Sequence, residues 1–198
     1  MKGLVIGGSL NLIKNRCPKY GEEELEVIEY GLTSLYLMIS KTIVICAVAF
    51  LLGMLIELII FTVIYNIIRM PSFGIHATKS WICLVTSTIM FIGIPYICTI
   101  ISIPVLIKVI LGIIGIIFIY KNSPADTEKR PIVSPQRRRM YKYVSTTLAV
   151  IFVVMALYIP NDFLQNCFIL GLLTQCLVIS PSVYKLFGQP YDNYKKFA

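Results

Sequence analysis

Apolar positions in this chain gather into three long runs separated by short polar segments. Residues 31–68 hold two charges, Lys41 and Glu57. Residues 80–120 hold only Lys108, and residues 143–184 only Asp162. A helix rises about 1.5 Å per residue and needs about 20 apolar residues to cross a hydrocarbon core. As one helix the first run would extend about 57 Å, so it reads as two passes turning near Leu51 to Met54, where Gly53 supplies the freedom. The second run breaks at Ser102-Ile103-Pro104, because proline drives its predecessor out of helical dihedrals. The third breaks at Pro160-Asn161-Asp162, a turn signal. The pattern predicts an all-α integral membrane protein with six transmembrane helices in three hairpins. The alternative has five spans, with one helix near 43–66. A short amphipathic N-terminal helix is expected over residues 2–14. The organisation is then an N-terminal segment 1–30, a membrane domain 31–180 with polar loops 69–79 and 121–142, and a tail 181–198.

Composition agrees: of 198 residues, 57% are hydrophobic and 14% charged, against about 25% charged in soluble domains. The net charge of +8 would suggest nucleic acid in a soluble protein. Here the cations map topology instead, and no nucleic-acid partner is expected. Segments 1–30, 69–79, 121–142 and 185–198 carry four, two, seven and three Lys or Arg, which is sixteen of the eighteen. The three opposite turns carry none. By the positive-inside rule, both termini and both polar loops are cytoplasmic, in a cell membrane. Lys108, near the external end, is expected to snorkel outward. Lys41 lies nearer mid-span. The six cysteines are scattered without a Cys-x-x-Cys pair, and there is one histidine, so neither a disulfide framework nor a zinc site is indicated. No cofactor is expected. The start, Met1 to Leu12, is broken by Gly7 and Gly8 and does not read as a cleaved signal.

The chemistry sits in one place. His76 lies in the short loop 69–79, and Cys83 follows seven residues later at the start of the third span. A histidine takes a thiol proton, and a helix N-terminus favours the thiolate. Seven helical residues rise about 10.5 Å, so a dyad requires the chain to bend between them. One straight helix over 74–90 would argue against it. Ser87 lies one turn beyond Cys83 on the same face, placed either to orient the dyad or to bond back to its own helix.

Several motifs, in order, resemble those of the accessory gene regulator protein B (AgrB) family. They are Arg69, Gly74-x-His76-Ala77, Cys83 and Ser87. They follow the acidic stretch Glu22 to Tyr30 and Leu52-Gly53-x-x-x-x-Glu57. Tyr120 and Ser123-Pro124-Ala125-Asp126-Thr127-Glu128-Lys129-Arg130-Pro131-Ile132 then come after the fourth span. The resemblance covers roughly residues 22–180. It implies a membrane cysteine endopeptidase that removes the C-terminal tail of a small quorum-sensing propeptide (AgrD-like) and promotes its cyclisation to a thiolactone or lactone autoinducing peptide. It implies His76 as base and Cys83 as nucleophile, with Arg69 and Gly74 supporting the site, and it allows a homodimer. Many members carry Gly-Gly where this chain has Phe73-Gly74, so the loop or its substrate fit is expected to differ.

Two charged features remain. Loop 121–142 carries a net +5, either topogenic charge beside anionic membrane lipids or a dock for an acidic propeptide tail. The candidate cations are Lys129, Arg130, Arg137, Arg138 and Arg139. Glu57, an ionisable group in a span, is a functional candidate by default, paired with Lys41 or Lys108 or facing the site. The acidic run Glu22, Glu23, Glu24, Glu26 and Glu29 reads as a solvated helix face leading into the first span. Two other classes of function are a non-catalytic membrane exporter or assembly factor for the propeptide, and a lipid-modifying enzyme. The latter lacks a His- or Asp-rich motif in its loops.

Overall fold

The computed structural model describes residues 2–16, 20–75, 80–128 and 131–196. Among them, regular structure is helical apart from isolated bridge residues, including a parallel bridge between Phe73 and Ala125. The chain divides into two compact units, Met1–Leu51 and Leu52–Ala198. The first holds α1 (Lys2–Arg16) and α2 (Glu22–Leu51), which touch each other. Helix α2 runs unbroken through residue 30, so the acidic segment and the apolar run share one helix. It stops one residue before Leu52-Gly53, where Gly53 has φ +68. That is the left-handed region where glycine is unstrained.

The second unit holds α3 (Leu55–Ser72), α4 (Ser80–Thr88), α5 (Ile94–Ile100), α6 (Val105–Asn122), α7 (Pro135–Tyr158), α8 (Asp162–Val178) and α9 (Pro181–Leu186). A single π turn, Ile89–Gly93, joins α4 to α5. Pro95 has no N–H to donate and crowds the carbonyl four residues back, and a widened turn absorbs that defect. The helix breaks fall where the sequence places them, at 52–54, 101–104 and 159–161. Among the described residues, five helical segments are long and apolar enough to cross a membrane. Helix α8, with 17 residues, is the shorter sixth.

In the second unit α8 has the most helix neighbours. Helices α3, α5, α6 and α7 all lie against it, whereas α5 and α6, joined by the 101–104 turn, pack on other neighbours. A helix enclosed by protein can carry polar groups that lipid would not tolerate. Asn166 Nδ2 donates to the Cys98 and Ile101 carbonyls, at 3.1 and 2.7 Å, which the end of α5 leaves open. Gln165 accepts from Lys108 and donates to the Ile159 carbonyl at 2.6 Å. Lys108 is therefore buried and held between helices, in place of the outward snorkelling expected from its position. A buried donor with a protein acceptor satisfies the ammonium where lipid could not.

Glycines set the closest helix approaches. A Cβ on Gly112 would lie 2.7 Å from Val153 Cγ2, and one on Gly115 2.8 Å from Leu172 Cδ2. Bare backbone at these points brings α6 against α7 and α8, and dispersion between closely packed helices is the main attraction available in lipid. Small buried residues on α7, Ser145, Ala149 and Ala156, complete the close packing.

Overpacking of this kind costs about 1–3 kcal/mol. Gly115→Ala should lower the unfolding midpoint in detergent accordingly, and Gly115→Ala combined with Leu172→Val should recover most of the loss. Gly93→Ala, with nothing within 4 Å of the added methyl, should cost much less. Equal effects of Gly115→Ala and Gly93→Ala would contradict this packing.

Candidate functional site

The ends of α3, α6 and α8 and the start of α7 meet at the basic end of the second unit. Helix α3 finishes through Arg69 and Pro71, and the chain then extends over Phe73–Ile75. Ala125 N donates to Ser72 O at 3.0 Å, and Gly74 N donates to Ala125 O at 2.9 Å. On the other side Ile75 N donates to Val178 O at 3.2 Å, and Gln175 Nε2 donates to Phe73 O at 2.8 Å. Arg69 donates to Ile75 O at 3.3 Å and to the Tyr65 hydroxyl at 3.1 Å. A non-helical segment in an apolar setting survives only when its backbone groups are partnered in this way.

Gly74 is what admits the strand. Its φ is +124, and a Cβ would stand 2.7 Å from Val178 Cγ1 and 3.2 Å from Val178 O. Both conformation and space exclude other residues. Phe73 also has positive φ, +58 with ψ −138, a region that costs a non-glycine residue about 1–3 kcal/mol. Where the resemblance leads one to expect Gly-Gly, this chain places Phe73 at a positive φ. It offsets the strain with an edge-to-face contact between Phe73 and Tyr141, ring centroids 5.0 Å apart.

His76 comes next and lies outside the described residues, with 77–79. Among the described residues helix α4 runs over Ser80–Thr88 and carries Cys83, while Gly74 and Ile75 are extended. Residues 74–90 are therefore not one straight helix. Cys83 is half-buried, and its Sγ is 4.0 Å from Ser87 Oγ. The neighbouring Thr86 and Thr88 bond back to the Ile82 and Leu84 carbonyls, while Ser87 faces the thiol.

A second layer holds the 123–126 turn against the strand. The Asp126 side chain is 1% exposed. One oxygen accepts from Asn193 N at 3.0 Å, and the other accepts from Tyr194 N at 2.9 Å and Ile132 N at 3.2 Å. The carboxylate thereby caps the short 3-10 turn Asn193–Lys196. Arg138 Nη1 stands 3.5 Å from the same carboxylate, and its guanidinium lies 3.3 Å over the Tyr194 ring. The Tyr184 hydroxyl bonds the Ala125 and Asp126 carbonyls, at 3.1 Å each. Tyr191 OH donates to Asn122 O at 3.2 Å, and Ser123 and Ser145 share a 2.7 Å bond. Burial first, then the neighbouring Tyr191 and Asp126, raises the Tyr184 phenol above its usual value. Burial, with Asp192 beside it, pushes Tyr191 up to about 12. Both hydroxyls stay protonated donors at neutral pH.

The other sequence candidates are placed differently. Glu57 is in the first turn of α3, twelve residues or about 18 Å of helix from Arg69, and makes no ion pair among the described residues. There it complements the helix dipole. Lys129 and Arg130 lie outside the described residues. Arg137, Arg138 and Arg139 belong to the first turns of α7, which begins eight residues before the apolar run. Ser134 Oγ accepts from Arg137 N at 3.5 Å, and Pro135 opens the helix. Arg137 and Arg139 are exposed, whereas Arg138 is committed to Asp126 and Tyr194. The segment 181–198 is anchored by α9 and the Asp126 cap across its described part.

Sequence reasoning does not single out Asp126, Tyr184, Asn193 or Gln175. Two signals were available: an acid in Pro-Ala-Asp, one of two among seven basic residues, and amides inside the apolar α8 run.

Gly74→Ala should displace the extended segment, with a stability loss of about 1–3 kcal/mol. Asp126→Asn should cost about 1–3 kcal/mol, because an amide turns a donor toward backbone N–H groups. Hydrogen exchange checks both: the amides of Gly74 and Ile75 should open in the first variant, and those of Asn193 and Tyr194 in the second. Unchanged protection would refute the clamp.

Comparison with known proteins places the chain. Residues 9–179 match the family described as Accessory gene regulator B. An AgrB-like protein of Listeria monocytogenes serovar 1/2a is 30% identical, over 90% of this chain and 88% of its own length. One from Clostridium acetobutylicum is 27% identical, over 88% and 83% respectively. Accessory gene regulator protein B of Staphylococcus saprophyticus is 32% identical over 78% of each chain. No solved structure matches the chain. Motif order, hydropathy and the extent of these matches agree that the chain belongs to the Accessory gene regulator B family.

Proposed function

We propose that this protein is a membrane-embedded cysteine endopeptidase that trims a small quorum-sensing propeptide and closes it into a thiolactone or lactone ring. The observation that carries this reading is the pinned extended segment Phe73–Ile75, which ends directly at His76, with half-buried Cys83 facing Ser87 on the following helix α4. A base needs a fixed backbone, and a nucleophilic thiol gains from a helix N-terminus. His76 takes the Cys83 proton, and Sγ attacks the scissile carbonyl carbon. Backbone N–H groups at the start of α4 hold the oxyanion. The C–N bond breaks, the proton passes from His76 to the leaving amine, and the tail departs. A thiol or hydroxyl of the same propeptide then attacks the thioester. Its proton returns through His76 to Cys83 as the ring closes. An internal nucleophile at high effective concentration outcompetes water, and the membrane surface keeps water scarce.

By the charge distribution, the site and both termini face the cytoplasm. Arg137 and Arg139, with Lys129 and Arg130, are the cations proposed to meet an acidic tail, since Arg138 is occupied by Asp126.

The test uses the full-length protein in proteoliposomes with the short peptide encoded beside it. Cys83→Ala should abolish tail release while retaining peptide binding, and His76→Ala should slow release at least about 100-fold. Alkylation of Cys83 should outpace that of buried Cys98, Cys167 and Cys176 and should slow in His76→Ala. Processing retained by Cys83→Ala would support the non-catalytic assembly reading instead. Arg137→Gln with Arg139→Gln should weaken binding and flatten its salt dependence; an unchanged salt dependence would remove these cations from the dock.

A further inference from the structure

A cavity of about 480 Å³ opens between the end of α6, the start of α7 and the 191–194 segment. Its walls include Lys121, Arg138, Arg139 and Lys142, four tyrosines and a single acid, Asp192. Asp192 is already paired with Lys195 at 2.6 Å. Among the described residues, Lys121, Arg139 and Lys142 make no ion pair, and Lys142 rests 4.1 Å above the Tyr120 ring. Arg138 Nη1 is buried and makes no hydrogen bond, although it stands 3.5 Å from Asp126. The cavity thus has a surplus of cations, with Lys121, Arg139 and Lys142 outside any ion pair among the described residues, which is the complement of an anion with several oxygens.

What lies below the cavity decides which anion. Ile113, Ile117 and Tyr120 share one face of α6 at helical spacing and are each about half exposed. Tyr143, Val150 and Val154 do the same on α7. Both stripes lead from the apolar body of the spans up to cavity residues. A soluble phosphate or a hydrated acidic peptide would leave these stripes unused, whereas acyl chains would cover them. Tyrosine at the rim is the residue that favours the boundary between hydrocarbon and headgroup.

We infer that this cavity binds the phosphodiester headgroup of an anionic glycerophospholipid, with its acyl chains along the exposed stripes of α6 and α7. The site lies beside the Asp126 clamp, so a bound lipid would brace Arg138 and Tyr194. The inference needs the membrane placement and not the peptidase chemistry, and it is read by binding alone.

Native mass spectrometry of the delipidated full-length protein tests it, with phosphatidylglycerol and phosphatidylcholine of identical chains as probes. The wild type should bind phosphatidylglycerol with about tenfold preference. Lys121→Gln with Lys142→Gln should reduce the preference to about twofold or less, and Lys121→Arg with Lys142→Arg should keep it. Lys14→Gln with Arg16→Gln, on α1, should also keep it. Loss of structure in the glutamine pair is detected by its melting point, and the arginine pair then decides. No preference in the wild type, or equal loss from the α1 pair, would overturn the site. Displacement by glycerol 3-phosphate at equal concentration would make it a free-phosphate site. Displacement by an acidic peptide at lower concentration than lipid would make it a peptide site. Either displacement overturns the lipid assignment.

Discussion

Backbone groups that leave a helix in an apolar setting need protein partners, and the segment Ser72–Ile75 meets that demand from three directions at once. Ala125, Val178 and the Gln175 amide bond its edges, and Arg69 reaches back to close its end. The arrangement requires Gly74 to lack a side chain, because Val178 occupies the space a Cβ would take. Three elements at the basic end are therefore tied to this segment: α8 through Gln175 and Val178, α3 through Arg69, and the turn after α6 through Ala125.

The carboxylate of Asp126 extends that scaffold outward. A buried charge is costly unless its oxygens are filled, and here three backbone N–H groups and a guanidinium surround it. The donors come from positions 132, 193 and 194, distant in sequence, so one residue fixes both the polar loop and the C-terminal segment. Tyr184 adds a hydroxyl to the Ala125 and Asp126 carbonyls. The described part of the C-terminal segment is thus part of the support for the extended segment Phe73–Ile75.

Much of this was legible from residues alone, for definite reasons. Gly53, Pro104 and Pro160-Asn161 break helices through local dihedral chemistry, so the chain turns where the sequence says. Arg69 and Gly74 were singled out through motif resemblance, and the structure supplies their tasks. Other features depend on contacts remote in sequence. Lys108 looked like a snorkelling cation until Gln165, on another helix, was found to accept from it. Arg138 looked identical to Arg137 and Arg139, and only a helix turn of 100° per residue separates a half-buried partner of Asp126 from two exposed cations. Helix α8 looked like the last of six equivalent spans, yet α3, α5, α6 and α7 all pack against it.

The sequence by itself determined the all-helical membrane class, the positions of the breaks, the gathering of cations at one end and the family. These follow from composition and local backbone chemistry, which act without knowledge of the fold. Tertiary structure alone decided which polar residues are satisfied inside and which remain free. It decided that Asp126, Gln175 and Tyr184 frame the strand before His76, and that unpaired cations ring a cavity above lipid-facing stripes. Hydrogen-bond partners and empty space are properties of distances between residues far apart in the chain, and no local pattern encodes them.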